Sequence, residues 1–351
     1  MAAQAQVARR WQIIAGLVAC LTIGQALMAC SLLPEVSVGI PSPTLAPTRT
    51  LTIAPSHSPV ASATVAPAAR ALTISPSNVE KVGEVGTWRT PNGSPVKQVA
   101  WSPDGGTIAA LVDDKQVILW DAASGRVSGT LTGAAYSFGF SPDGKLLAAG
   151  IENNAIKLWQ VSGGLELNTI SKHSSPVQTV SFSPDGLVLF AGSAYGPQEL
   201  WQVATGREFG NLGYQVSGVA LSSAFSPDGR LLALGTGSSR GGGIELWDLA
   251  TLEKSRTLFD ARDDKYSVAF APDGRLLASG SLFGNVKLWD VDSGRELRSF
   301  SVPQASVQRV AFSPDGRVLA IAARERVVRL LDAATGRELG SLAGHTGDVN
   351  G

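Results

Sequence analysis

From residue 96 onward the chain alternates short apolar runs with short polar breaks. Val96–Trp101, Ile108–Val112, Val117–Trp120 and Val127–Leu131 hold four to six residues each, rich in Val, Ile, Leu and Trp. That length and composition predict strands rather than helices. The first break, Ser102-Pro103-Asp104-Gly105, is turn chemistry: Pro presets one dihedral, Asp bonds nearby backbone, and Gly accepts positive φ. The same layout returns at 136–170, 177–212, 219–258, 266–300 and 307–342, after the first module at 96–131. Each module therefore predicts four strands, innermost first, joined by hairpins.

Two phrases keep the modules in register. The Ser-Pro-Asp-Gly turn recurs at Ser141–Gly144, Ser183–Gly186, Ser226–Gly229, Ala271–Gly274 and Ser313–Gly316, in steps of 39, 42, 43, 45 and 42 residues. A second phrase follows each copy: Leu119-Trp120-Asp121, Leu158-Trp159-Gln160, Leu200-Trp201-Gln202, Leu246-Trp247-Asp248, Leu288-Trp289-Asp290 and Leu330-Leu331-Asp332. A repeat of about 40–45 residues with a Trp-Asp pair marks a propeller blade. Its middle strands are apolar on both faces, so adjacent blades must cover one another. The fold class is all-β, a β-propeller with six four-stranded blades present. The repeated Trp residues are expected to fill the space between blades, with a thinner contact at Leu331.

The first 70 residues differ in composition. Arg9 and Arg10 precede an apolar run from Trp11 to Ala29 without a charged residue, which predicts an export segment over 1–30. Leu27-Met28-Ala29-Cys30 resembles the lipobox of bacterial lipoproteins, which implies lipid attachment at Cys30. The alternatives are an uncleaved apolar helix spanning the bilayer and processing at Leu17-Val18-Ala19-Cys20. Residues 31–70 are rich in Pro, Ser, Thr and Ala and too poor in large apolar residues to offset ordering entropy. They read as a disordered tether to a propeller domain over 71–351, displayed outside a bacterial membrane.

The phrases Ala311-Phe312-Ser313-Pro314-Asp315-Gly316, Leu288-Trp289-Asp290 and Ser293-Gly294-Arg295-Glu296 resemble the WD-repeat β-propeller family. The resemblance covers roughly 270 residues. It implies a rigid scaffold that binds protein or peptide partners through loops on one face. It also implies a polar chain from a loop His through Ser or Thr and Trp to a hairpin Asp. Blade three offers His173, Ser193 and Trp201, but Tyr195 and Gly196 stand where the Asp is expected. His173 then reads as structural, and stability is expected from apolar stacking. Such rings close when an N-terminal outer strand completes the last blade, here Val82–Trp88. The terminal run Gly344-His345-Thr346-Gly347-Asp348-Val349 resembles the opening of another blade. Two readings stay open: a closed six-blade ring, and a seven-blade ring cut short.

Catalytic chemistry has little purchase in this sequence. Twenty-nine basic and 29 acidic residues balance to zero net charge, unlike the basic footprint of a nucleic-acid binder. Three His and two Cys, both Cys N-terminal, leave no His-rich metal site and no thiolate chemistry in the propeller. No metal, cofactor or catalytic residue is expected. Gly235–Gly243 lacks the Lys-Ser/Thr of a phosphate loop and reads as a flexible hairpin. Asp113-Asp114 and Asp263-Asp264 read as solvated loop charges. The loop face would show Tyr195, Tyr214, Phe283, Arg240 and Arg324, the aromatic and Arg types that anchor interfaces. The alternative function is a hydrolase, lyase or glycan-sensing head that uses the central channel.

Overall fold

The computed structural model describes Thr90 and residues 93–349, apart from 114, 134–135, 152, 172, 174, 214–215, 239–241, 259–262, 304, 346 and 348. All of these lie in the compact unit Thr73–Gly351. The export segment, the tether, Cys20, Cys30 and the closing strand 82–88 lie outside the described residues, as do Tyr214 and Arg240. Among the described residues no helix is long and apolar enough to cross a membrane.

Among the described residues twenty-four strands form six four-stranded antiparallel sheets. Blade one is β1 (Val96–Trp101), β2 (Thr107–Val112), β3 (Gln116–Asp121) and β4 (Val127–Thr132). Blade two is β5 (Ser137–Phe140), β6 (Leu146–Ile151), β7 (Ala155–Gln160) and β8 (Glu166–Ile170). Blade three is β9 (Val177–Phe182), β10 (Val188–Ser193), β11 (Gln198–Gln202) and β12 (Glu208–Gly213). Blade four is β13 (Val219–Phe225), β14 (Leu231–Gly237), β15 (Ile244–Asp248) and β16 (Glu253–Leu258). Blade five is β17 (Lys265–Phe270), β18 (Leu276–Ser281), β19 (Asn285–Asp290) and β20 (Glu296–Ser301). Blade six is β21 (Val307–Phe312), β22 (Val318–Ala323), β23 (Val327–Asp332) and β24 (Glu338–Ala343). The blades follow one another in a ring, a six-bladed β-propeller.

The turns do what their letters dictate. In blade two Ser141 Oγ donates to Asp143 Oδ1 at 2.6 Å, and the Lys145 amide donates to the same oxygen at 3.1 Å. Every other Ser-Pro-Asp-Gly turn repeats the Ser–Asp bond, except the blade-five turn, where Ala271 has no hydroxyl to give. The outer turns need a left-handed residue, which Gly supplies in blades one, three, five and six. In blade four Leu252 holds that place at φ 57°, a conformation that costs an L-residue about 1–2 kcal/mol.

Packing between blades forms the core. Ala109, Leu111, Leu119 and Leu131 of blade one meet Phe138, Leu147, Ala149 and Trp159 of blade two. Trp201 joins Ala148, Ile156 and Leu158 of the blade before it, and Trp289 joins Ala233, Ile244 and Leu246. Trp159, Trp201 and Trp289 thus fill the step to the preceding blade, whereas Trp120 clusters with Ile108, Ala110, Val112 and Ile118 of its own blade. Leu331 takes that place in blade six, against Ala278, Val286 and Leu288. Each buried Val, Leu or Ile contributes about 1.5–3 kcal/mol, so these steps dominate stability.

Five steps share one further contact. Gly144, Gly186, Gly229, Gly274 and Gly316 each lie against the turn proline of the preceding blade, with 3.3–3.8 Å from a notional Cβ to the proline Cδ. Gly105 of blade one faces open space. Trp101 on β1 is 56% exposed, whereas its counterparts Phe140, Phe182, Phe225, Phe270 and Phe312 are half-buried. Among the described residues, the junction of blade six with blade one is therefore laced differently from the other five.

Candidate functional site

An antiparallel order from inner to outer strand has a geometric consequence. The hairpins joining second to third strands, and the loops joining each outer strand to the next inner one, emerge at the same face of the ring. The Ser-Pro-Asp-Gly turns and outer turns emerge at the opposite face. The opposite face holds a cleft of about 590 Å³ between blades four and five. Arg230, Arg256 and Arg275 line it together with Asp228, Asp248, Asp273 and Asp292, so its charges largely offset one another.

Among the described residues of the hairpin face, the two most exposed large hydrophobics are Tyr195, at 85%, and Phe283, at 66%. Both stand on braced backbone. The Tyr195 amide donates to Ser175 Oγ at 3.1 Å, and the Ala194 amide to Pro176 O at 3.0 Å. Gln198 closes the same hairpin from inside: it accepts from the Ser193 amide and donates to the carbonyls of Ser193 and Gly196. The Phe283 amide donates to Asp263 Oδ1 at 3.2 Å, and Asn285 Nδ2 donates to Asp263 Oδ2 at 2.9 Å. Arg324 is exposed on the β22–β23 hairpin, its amide tied to Ser306 O at 2.9 Å. The fold thus gathers Tyr195, Phe283 and Arg324 on one face.

Two expectations need correction. Asp263 and Asp264 are not solvated loop charges. Asp263 is 3% exposed and also meets Lys265 Nζ at 3.3 Å, while Asp264 Oδ1 accepts from the Ser238 amide of the neighbouring blade. Loop carboxylates are consumed here as substitutes for backbone partners that an irregular segment lacks. Second, the acid sought at 195–196 lies on the third strand instead. His173 Nδ1 is 2.7 Å from Glu199 Oε2, and the imidazole meets Trp201 edge-on, with centroids 5.5 Å apart. Alternation supplies the reason: Glu199 and Trp201, two apart on a strand, share a face. The signal was present in the repeat, because blades two to six carry Lys157, Glu199, Glu245, Lys287 and Arg329 two residues before the Trp or Leu331.

Those charges are structural fittings. Lys157 and Lys287 pair with Glu166 and Glu296 of the outer strand at 2.8 and 2.9 Å and lie over Trp159 and Trp289. Arg329 pairs with Glu338 at 3.1 Å and with Glu325 at 3.0 Å, which holds its guanidinium above the ordinary arginine range. In blade four the signs are reversed. Glu245 accepts from Lys254 at 2.8 Å, from Trp247 Nε1 at 3.1 Å and from the Ser217 amide at 3.0 Å. Among the described residues no cluster of three or more His, Cys, Asp or Glu is arranged to hold a metal ion.

The family model described as WD domain, G-beta repeat matches residues 84–121, 125–160, 164–196, 253–290 and 294–332. No curated protein matches the chain. The unmatched stretch 197–252 holds β11 to β15, with the long β14–β15 connection and the Leu252 turn of blade four. Blades fitting the repeat in number, order and register, with family matches over more than half of the residues, mean that the chain belongs to the WD-repeat family.

Proposed function

We propose that this chain is a non-catalytic scaffold that binds a protein or peptide partner through the hairpin face, displayed outside a bacterial membrane by a lipid on Cys30. A WD-repeat propeller fits a protein-interaction scaffold. One observation carries the assignment of the face: Tyr195 and Phe283 expose their rings on hairpins whose backbone is held by side chains from the adjoining loops. A rigid aromatic in water loses little conformational entropy on binding and offers a large contact area. The buried titratable pairs His173–Glu199, Glu245–Lys254 and Asp263–Lys265 are engaged in bracing, which favours a scaffold over an enzyme working in the channel.

The test is affinity capture with the full chain, wild type beside Tyr195→Ala/Phe283→Ala. Loss of one defined partner from the double variant, with unchanged thermal unfolding, is the expected result. Equal capture by both proteins would remove the hairpin face from the interaction. For display, palmitate labelling in a bacterial host is expected for wild type and absent for Cys30→Ala. Labelling that persists in Cys30→Ala refutes that anchor.

A further inference from the structure

Blade six carries a group of arginines that the repeat does not explain. Arg309 stands third on its inner strand, where the other blades have Gln98, Ser137, Thr179, Ser222 and Ser267. Three of those residues reach the next blade. Gln98 Nε2 donates to Phe138 O at 2.7 Å, Thr179 Oγ1 lies 3.0 Å from Ser223 Oγ, and Ser267 Oγ accepts from the Val310 amide at 3.1 Å. Arg309 makes no such bond and faces no carboxylate among the described residues. Burial lowers its guanidinium below the ordinary arginine value, with no opposing charge to raise it. It pairs in register with Ala322, two residues before Arg324, at the end of the blade nearest the hairpin face. Arg324 and Arg326 are both exposed there, and the acid between them, Glu325, is taken by Arg329.

We infer that this corner of blade six is the docking point for an acidic segment of the partner protein, whose carboxylates pair with Arg309, Arg324 and Arg326. The inference rests on the hairpin face being the binding face. A half-buried guanidinium without a counter-charge is poorly solvated, and a carboxylate satisfies it in a planar two-point fit that a lysine-type cation does not give. Two exposed guanidiniums beside it extend the positive potential into solvent and steer an acidic chain toward it. Phosphate-bearing ligands share part of this chemistry. The carboxylate assignment follows from the chain's zero net charge, which leaves no extended basic track for a polyanion.

The test uses the full chain and two fluorescein-labelled octapeptides, one alternating Glu and Gly, the other Gln and Gly, followed by fluorescence anisotropy. The acidic peptide is expected to bind at least about tenfold more tightly, the equivalent of one charge-assisted bond. That margin is expected to fall below about threefold in Arg324→Gln/Arg326→Gln and again in Arg309→Gln, with Arg309→Lys in between. Arg309→Gln is expected to keep the wild-type melting temperature, since no partner loses a bond. A collapse in melting temperature would make Arg309 structural and overturn its part. Equal affinity for the two peptides, or an acidic preference untouched by the exposed double variant, overturns the proposal. So does tighter binding of a single-stranded oligonucleotide than of the acidic peptide at the same salt. If Tyr195→Ala/Phe283→Ala loses the captured partner while the arginine variants retain it, the scaffold reading stands and this docking point falls.

Discussion

Gly280→Ala tests the claim that blade-to-blade contact, rather than hydrogen bonding within blades, sets stability. Gly280 lies on β18, and a Cβ there would come within 3.0 Å of Val307 Cβ, nearer still to its Cγ1, and 3.2 Å from Val310 Cγ1. Val307 is fully buried at the start of the next inner strand and is stiff at χ1, so it cannot swing away. Overpacking of this kind costs about 1–3 kcal/mol, against a gain of about 0.5–1 kcal/mol from removing a strand glycine. The net loss is about 1–2 kcal/mol, a fall in melting temperature of about 2–8 °C for a domain of this size. Val307→Ala alone removes two buried carbons and costs about 2 kcal/mol. Adding Gly280→Ala to it places a methyl where the valine was, so the double variant is expected to be no worse than Val307→Ala. The coupling energy is then about 1–2 kcal/mol in the restoring direction. Gly340→Ala on β24, where nothing lies within 4 Å of the new methyl, is the control and is expected to stabilise slightly. Urea and thermal unfolding measure all four proteins. An unchanged melting point for Gly280→Ala, or simple addition of the two single effects, would refute the packing argument.

The turn aspartates make stability fall in acid. Ser hydroxyls, and then backbone amides, hold Asp104, Asp143 and Asp315 below the usual carboxylate range. Their contribution is fully present above the unfolded carboxylate value of about 4 and is lost as pH falls through the lower folded values. The triple variant Ser102→Ala/Ser141→Ala/Ser313→Ala is expected to flatten the dependence of urea midpoint on pH below about 4; an unchanged slope contradicts this. In blade four, Lys254→Met strands the buried Glu245 carboxylate and is expected to cost about 3 kcal/mol. Glu245→Gln keeps an acceptor for Trp247 and is expected to cost less, so the reverse order in thermal unfolding would count against the pairing. In blade three, Glu208→Lys gives Glu199 a cross-strand partner, worth about 0.2–1 kcal/mol at an exposed edge. It is expected to move the His173 ring resonances in NMR, and unmoved resonances would mean that His173 holds Glu199 regardless of the outer strand.

The strands were legible because two independent signals agree. Apolar runs gave the four strands of blade one within a residue or so of the observed bounds, and the Ser-Pro-Asp-Gly turn fixed where the inner hairpin folds. The hairpin face was legible by topology alone, and Tyr195 and Phe283 were legible as aromatics in turns. What the letters concealed was the use of polar groups. Asp263 looks identical to Asp113 in a linear reading, since both open an Asp-Asp pair. One is buried under Phe283 and the other is exposed on a tight hairpin with φ 54°. Only the three-dimensional return of the loop to the hairpin separates them. Arg309 is hidden for a similar reason, because its oddness appears only when the inner strands are aligned on the bulge that five of them share, which shifts register between Val307 and Arg309.

The pairs nine residues apart show how a repeat keeps one geometry while changing its chemistry. The positions are Ile118 and Val127, Lys157 and Glu166, Glu199 and Glu208, Glu245 and Lys254, Lys287 and Glu296, and Arg329 and Glu338. The backbone brings each third-strand member to the Trp face and its partner onto the adjoining outer strand. Any neutral or opposite-charge combination satisfies that frame: apolar in blade one, positive-to-negative in three blades, reversed in blade four. Blade three alone has two acids, which repel at cross-strand range. That is the blade with His173, whose imidazole sits 2.7 Å from Glu199. The single propeller histidine within the described blades that approaches a carboxylate is thus where the ladder's own charge rule fails. Its place follows from the neighbouring repeats, and on the inner strands Arg309 is likewise a charge that meets no counter-charge among the described residues.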